Sequence, residues 1–247
     1  MDTSEAGFES TIEKYLVDAH GYRRRDGRKS RNGAQYDVAN ALDWELLLEF
    51  ITSTQPDTWR DLEQQHGVRT KDEFLNRLTR QIARHGTLYV LRHGIKLYGC
   101  YFDLAYFRPA SMLNPEHWRK YERNILSVTR QLHYSAKNNN SIDLAIFLNG
   151  LPILTIELKN KLTGQRALNA IVQYQKDRAI KGEPLLQFKR CLVHFAVDGD
   201  EVYMTTRLQG ASTHFLPFNK GHNKRAGNPP QPRRLRQQLP VGRSFPT

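Results

Sequence analysis

SIDLAIFLNGLPILTIELK, residues 141–159, decides how this chain is read. It holds two nearly continuous apolar runs joined by Asn149-Gly150, a dipeptide suited to the tight turn of a β-hairpin. Runs so rich in Leu, Ile, Ala and Phe fit strands buried on both faces, where a charge is out of place unless it has work to do. The charges sit at the open end of the hairpin, with Asp143 entering the first strand and Glu157 and Lys159 leaving the second. Side chains alternate along a strand, so Glu157 and Lys159 share a face and Leu158 lies between them on the other. The pattern brings two carboxylates and an ammonium towards one end of the ribbon. Hard divalent cations take such oxygen ligands, and a neighbouring lysine can orient a water or steady developing negative charge. The chemistry that fits is metal-assisted hydrolysis of a phosphodiester.

An Asp followed at some distance by Glu-x-Lys also arises by chance in many proteins. Wider context adds to it here. The hairpin, QLHYS at 131–135, FKRCLVHFAVDGDEVYMTTRL at 188–208 and FLPFNKG at 215–221 together resemble the restriction (R) subunit of type I restriction-modification enzymes. The resemblance runs from about Phe8 to about Pro230. It implies an N-terminal nuclease domain of the PD-(D/E)xK type: an α/β fold with a mixed β-sheet flanked by helices, restriction-endonuclease-like. It also implies Mg2+ as cofactor, double-stranded DNA as substrate, and modification and specificity subunits as partners. Residue by residue, Asp143 and Glu157 match the acidic metal ligands, Lys159 the catalytic lysine, and the carbonyl of Leu158 a further metal ligand. Ile142 replaces the proline that often precedes the aspartate, at a position that supplies no ligand.

Two further features are weighed through the resemblance. Such nucleases often carry Gln-x-x-x-Tyr on the next helix, but here Ala170 stands four residues before Tyr174, and a methyl group cannot replace an amide. Gln173 and Tyr174 remain the candidates for a DNA contact. Against them stands an amphipathic helix within 165–178 that turns Leu168, Ile171 and Val172 inward. Glu9, on a helix expected over 8–19 and stopped by Gly21, is a candidate support for the metal site; the commoner role of such a residue is an exposed carboxylate.

The formal charge of +12 on 247 residues suits a polyanionic partner, through binding that depends on salt rather than sequence. Arg23, Arg24, Arg25, Arg28, Lys29 and Arg31 form a candidate phosphate contact, or a solvated loop, the commoner fate of such runs. Cys100 and Cys191 lie in apolar stretches without metal-ligand spacing and read as buried thiols of a reducing compartment. No segment approaches the roughly 18 apolar residues of a membrane span and no leader pattern opens the chain, so the expected location is cytoplasmic, with no membrane partner.

Along the chain, apolar spacing predicts helices at 41–55 and 72–84, with Pro56 as an interruption and Asp57 or Thr58 opening the next helix. Tyr89–Leu91 and Ile95–Leu97 read as strands around His93-Gly94, 101–109 as a buried strand, and 117–132 as a helix. A strand pair is expected at 191–197 and 201–206 around Asp198-Gly199-Asp200, with His194 and Tyr203 as packing residues. The expected organisation is a nuclease domain over 1–230 with a helical N-terminal part, then a disordered tail over 231–247.

No GxxxxGK[ST] phosphate loop occurs, so the ATP-driven motor that follows this region in the resembled family is not encoded here. The tail offers a reason. One set of synonymous codons for QPRRLRQQLPVGRSF, read one base later, gives NPDGYASNYLWEEV, which resembles the family's continuation. A frameshift near Pro230 is therefore expected. The chain reads as a metal-dependent endonuclease domain; the alternative is a nonenzymatic DNA-binding remnant of a truncated R subunit.

Overall fold

The computed structural model describes residues 4–27, 36–160 and 164–221. The expectations for the tail, and for Arg28, Lys29 and Arg31, lie outside these residues. Helix α1 (Glu5–His20) is followed by strand β1 (Arg23–Asp26), short strands β2 (Tyr36–Asp37) and β3 (Leu42–Asp43), and helices α2 (Trp44–Thr54), α3 (Pro56–His66), α4 (Thr70–His85) and α5 (Thr87–His93). Next come strands β4 (Ile95–Leu97) and β5 (Cys100–Phe102), helix α6 (Pro115–Glu122), and strands β6 (Leu126–His133), β7 (Ser141–Leu148) and β8 (Leu151–Leu158). Helix α7 (Ala167–Val172) and strands β9 (Val193–Val197), β10 (Val202–Thr205) and β11 (Leu216–Pro217) complete the order.

Seven strands form one sheet in the order β1-β6-β7-β8-β9-β10-β11. The β1–β6 and β8–β9 pairs are parallel and the others antiparallel, so the sheet is mixed, as the sequence implied. The expected hairpin is its centre. Asn149 and Gly150 have φ of 50° and 79°, the left-handed values a two-residue hairpin turn needs. A Cβ on Gly150 would run into the Asp43 carbonyl and Leu47, so close approach also demands glycine. Asn149 is fully buried and its side chain holds Ile125 N–H and the Leu104 carbonyl, fastening the turn to the helical part.

Three apolar clusters hold the layers together. Leu46, Leu47, Phe50, Trp59, Phe74, Leu78 and Phe102 pack α2–α5 and the β4–β5 hairpin into the helical part. Ile12 and Leu16 of α1 cover Val128, Leu144, Ile146, Ile156 and Leu158. Ala145, Phe147, Tyr174, Leu185 and Leu186 fill a third cluster. Each fully buried Leu, Ile or Phe contributes about 1.5–3 kcal/mol relative to leaving it in water.

Several local expectations are corrected. Pro56 separates α2 from α3 as expected, but it opens α3 itself at the first position, where its missing N–H costs nothing, and no cap forms at Asp57 or Thr58. Residues 87–93 are helical, so the first of the paired strands is α5; Ile95–Leu97 pairs instead with Cys100–Phe102 through Tyr98 and Gly99, which supply φ of 46° and 84°. The apolar run 101–109 is a strand only to Phe102, and 117–132 is a helix only to Glu122, after which Leu126–His133 joins the sheet. Short apolar segments carry either period, and pairing with β7 settled this one. The pair β9–β10 and the packing of a fully buried His194 agree with expectation, and both cysteines are buried free thiols. No helix among the described residues is long and apolar enough to cross a membrane.

Arg23, Arg24 and Arg25 lie on edge strand β1, and each already holds a carboxylate. Arg23 reaches Glu49 at 2.6 Å, Arg24 reaches Glu13 at 3.2 Å, and Arg25 bridges Asp43 and Glu45 at 2.7 and 2.6 Å. These pairs tie β1 to α1 and α2, which removes the described half of the basic run from candidacy as a free phosphate contact.

Candidate active site

The acidic residues meet where β6 and β8 end and β7 begins. The register pairs Leu144 with Ile156, so Asp143 lies opposite Glu157, and the β6–β7 register puts Gln131 opposite Asp143 from the other side. Gln131, Asp143 and Glu157 thus form a row across three adjacent strands. Gln131 has φ of 47°, a conformation that costs a residue with a side chain about 1 kcal/mol or more. A Cβ on Gly27 would collide with the carbonyls of Arg130 and Gln131, so glycine is required beside this distortion.

The distorted strand aims an amide into the site. Gln131 Nε2 donates to Glu9 Oε1 at 2.8 Å and to Asp143 Oδ1 at 3.2 Å, while its Oε1 accepts from Ser141 Oγ at 2.8 Å. Asp143 Oδ2 accepts the N–H of Leu158 at 2.7 Å. Glu9, read from the sequence as most commonly exposed, is 4 % exposed and belongs to this network. Burial first, and the charge of Asp143 second, raise its proton affinity.

Glu157 is fully buried, and Arg178 Nε donates to its Oε1 at 2.7 Å. Its Oε2 is buried without a hydrogen-bond partner. Burial, and then the neighbouring charge of Asp143, push the Glu157 carboxyl up to about 8 despite the guanidinium. Arg178 is delivered by the segment after α7. The helix is anchored by Asp198 Oδ2, which accepts the N–H of Ala167 at 2.9 Å, and it widens into a π-turn over Gln173–Asp177.

Lys159 follows the last residue of β8, and its Nζ lies 3.7 Å from Glu5 Oε2, one turn before Glu9 on α1. Helix α1 therefore presents one carboxylate to the lysine and another to the Gln131–Asp143 pair.

Tyr174 is not available to DNA. It is fully buried, and its hydroxyl lies 2.8 Å from Thr155 Oγ1, which also meets His194 Nδ1 at 2.7 Å. Gln173 is half-buried, with its Oε1 enclosed and unpartnered. The helix also turns a different face inward from the one expected: Ala167 and Ala170 are buried, whereas Leu168 is 56 % and Val172 42 % exposed. Small residues let this short helix lie close to the sheet, a preference that ranking positions by hydrophobicity does not detect. Sequence reasoning passed over Gln131 and Arg178, since nothing in spacing or composition marks a lone amide in a strand or an arginine at a helix end.

Among the described residues no three His, Cys, Asp or Glu side chains converge as a ready ligand set. Two carboxylates are nevertheless what magnesium commonly takes from a protein, with waters filling the remaining positions. The enclosed, unpartnered Oε2 of Glu157 fits such an ion. In an extended strand a residue's N–H and C=O leave the same edge, so the Leu158 carbonyl is expected on the side of Asp143.

The raised Glu157 carboxyl makes metal-free stability depend on pH. Below about pH 4.5 it is protonated folded or unfolded; between there and about 8 the unfolded chain ionises first, so stability falls as pH rises. Glu157→Gln is expected to flatten that decline in urea titrations run with chelator. An equally steep decline in the variant would remove Glu157 as its source.

A mixed sheet flanked by helices, with carboxylates gathered at the end of its central strands, defines an α/β protein of restriction-endonuclease-like fold. The chain belongs to the family described as type I restriction enzyme R protein N terminus, whose model matches residues 2–213. No curated protein matches the chain.

Proposed function

We propose that this chain is a magnesium-dependent endonuclease domain that hydrolyses DNA phosphodiester bonds as part of a type I restriction enzyme. Asp143 and Glu157, with the carbonyl of Leu158, would hold the ion. A magnesium ion in such a site supplies positive charge at the phosphoryl oxygens and a water acidic enough to attack phosphorus. Lys159 orients that water or steadies charge developing on the phosphate. Gln131 fixes the rotamer of Asp143 by donating to its Oδ1, and Glu9 fixes Gln131 in turn. Arg178 keeps Glu157 neutralised inside the protein when the site holds no cation.

The observation that carries this reading is the opposition of Asp143 and Glu157 in a buried strand pair, close enough for one charge to raise the other's proton affinity. Two carboxylates gain nothing in stability from such a position. A cation relieves both. Modification and specificity subunits are the proposed partners, and recognition of a DNA site would reside with them.

The test is plasmid cleavage in magnesium, with Lys159→Ala beside the parent. The variant is expected to lose turnover by roughly 100-fold or more, the scale of removing one group that stabilises a transition-state charge, and to keep duplex affinity. Full cleavage by Lys159→Ala would refute its role. One observation favours the alternative of a DNA-binding protein that does not cut: the Arg178–Glu157 pair already balances the buried charge. No magnesium-dependent nicking by the parent, with binding intact, would select that reading.

A further inference from the structure

We propose that α4, α5 and the two turns packed beside them form a second, electrostatic docking surface for the backbone of double-stranded DNA, separate from the carboxylate site. All 25 acidic residues of the chain lie outside the segments 74–102, 184–197 and 202–221. The first of these contributes Arg77, Arg80 and Arg84 along one side of α4, then Arg92 of α5 and Lys96 of β4. Arg80, Arg84, Arg92 and Lys96 are exposed and have no carboxylate partner among the described residues.

The other two segments extend the same surface. The N–H of Thr87, at the start of α5, donates to the Lys189 carbonyl at 2.9 Å, and a Cβ on Gly86 would press on the Lys189 side chain. Phe188 beside it is half exposed and carries Lys189 Nζ at 5.7 Å and Arg207 at 4.9 Å from its ring centroid. Cations from three separated stretches thus adjoin at the α4–α5 junction. The rings of His85, Tyr89 and His93 stack across it at 4.4 and 4.3 Å between centroids.

The contrast with β1 gives the surface its meaning, because arginines there are consumed by Glu13, Asp43, Glu45 and Glu49, whereas these are left to solvent. Arginine is common at protein–protein interfaces and lysine depleted there, so it is the single sign of charge carried by all three stretches, which a polyanion matches along its length, that selects nucleic acid over a protein occupant. A basic stripe is the footprint of a nucleic-acid backbone, and the acids of α4, Asp72 and Glu73, are confined to its first turn, ahead of Arg77. Arg77 to Arg84 spans about 10 Å of helix at 1.5 Å per residue, a length over which one DNA strand presents about three phosphates.

The experiment is fluorescence anisotropy of the full chain with a short labelled duplex in chelator, across a salt series, so that the outcome does not depend on cleavage. The triple variant Arg80→Gln/Arg84→Gln/Arg92→Gln is expected to lower the slope of log affinity against log salt by roughly three, at about 0.9 per phosphate contact. Lys14→Gln/Arg119→Gln/Lys181→Gln removes the same charge from exposed positions elsewhere and is expected to leave the slope near the parent's. Arg80→Lys/Arg84→Lys/Arg92→Lys keeps the charge and is expected to keep the slope. Equal losses in the two glutamine variants, or no loss in the first, would overturn the proposal; binding of an acidic protein without binding of duplex would assign the surface to that partner instead. Because all exchanges are at exposed side chains, circular dichroism should show parental folding. An inactive nuclease with an intact α4–α5 effect would separate this surface from the catalytic reading.

Discussion

Asp143→Asn is expected to lower magnesium-dependent plasmid cleavage by roughly a thousandfold or more, since metal-ion charge stabilisation of a transition state is worth several kcal/mol. Asparagine keeps an oxygen to accept the Leu158 N–H, at present held at 2.7 Å, so the end of the β7–β8 ladder keeps a bond that alanine would forfeit. The loss should then be one of charge at the site rather than of fold. A second consequence accompanies it. Asp143 is the second cause, after burial, of the raised Glu157 carboxyl, so its neutralisation should move Glu157 down from about 8. Carboxyl resonances of Glu157 followed by NMR in chelator would report this without any activity. More than a tenth of parental cleavage in Asp143→Asn would remove that carboxylate from the mechanism.

Arg178→Met is expected to destabilise the metal-free protein by about 3–5 kcal/mol at pH well above 8, the cost of leaving one member of a buried ion pair uncompensated. The side chains are 9 % and 0 % exposed, so water cannot take the place of the guanidinium. At low pH the penalty should shrink, because Glu157 then accepts a proton and no bare charge remains. The double variant Glu157→Gln/Arg178→Met should recover much of the loss. Urea unfolding of the four proteins forms a double-mutant cycle; additive losses would show that the pair does not couple.

Much of the site could be read from the linear chain because its parts are local. Asn149-Gly150 fixes the turn of the hairpin, but the register it sets, Leu148 with Leu151 and Phe147 with Pro152, would bring Asp143 opposite Ile156; an irregularity between Ile146 and Phe147, which no local signal marks, shifts the pairing by one residue and sets Asp143 opposite Glu157. Helices α1, α2 and α4 were legible too, since their apolar positions recur with the helical period over three or more turns. The misreadings cluster in segments shorter than that. Residues 87–93, 101–109 and 117–132 have apolar residues compatible with either period, and neighbours chose between them. In α7 the alanines rather than the larger apolar residues face inward, because the distance to the sheet, and not hydrophobicity, decides which side chain fits.

The sequence by itself determined the family, through stretches spread over 131–221 that resemble it and imply the mixed sheet, and the hairpin that carries both carboxylates towards its open end, because a tight turn between two apolar runs specifies that much locally. Only the tertiary structure decided who attends those carboxylates. Glu9 arrives from α1, Gln131 from a distorted position in β6 and Arg178 from beyond a π-turn, each more than ten residues from its partner in the chain. Burial supplies the reason: once Glu157 is taken out of water its charge must be balanced by whatever cation the packing brings within reach, and no local pattern specifies which.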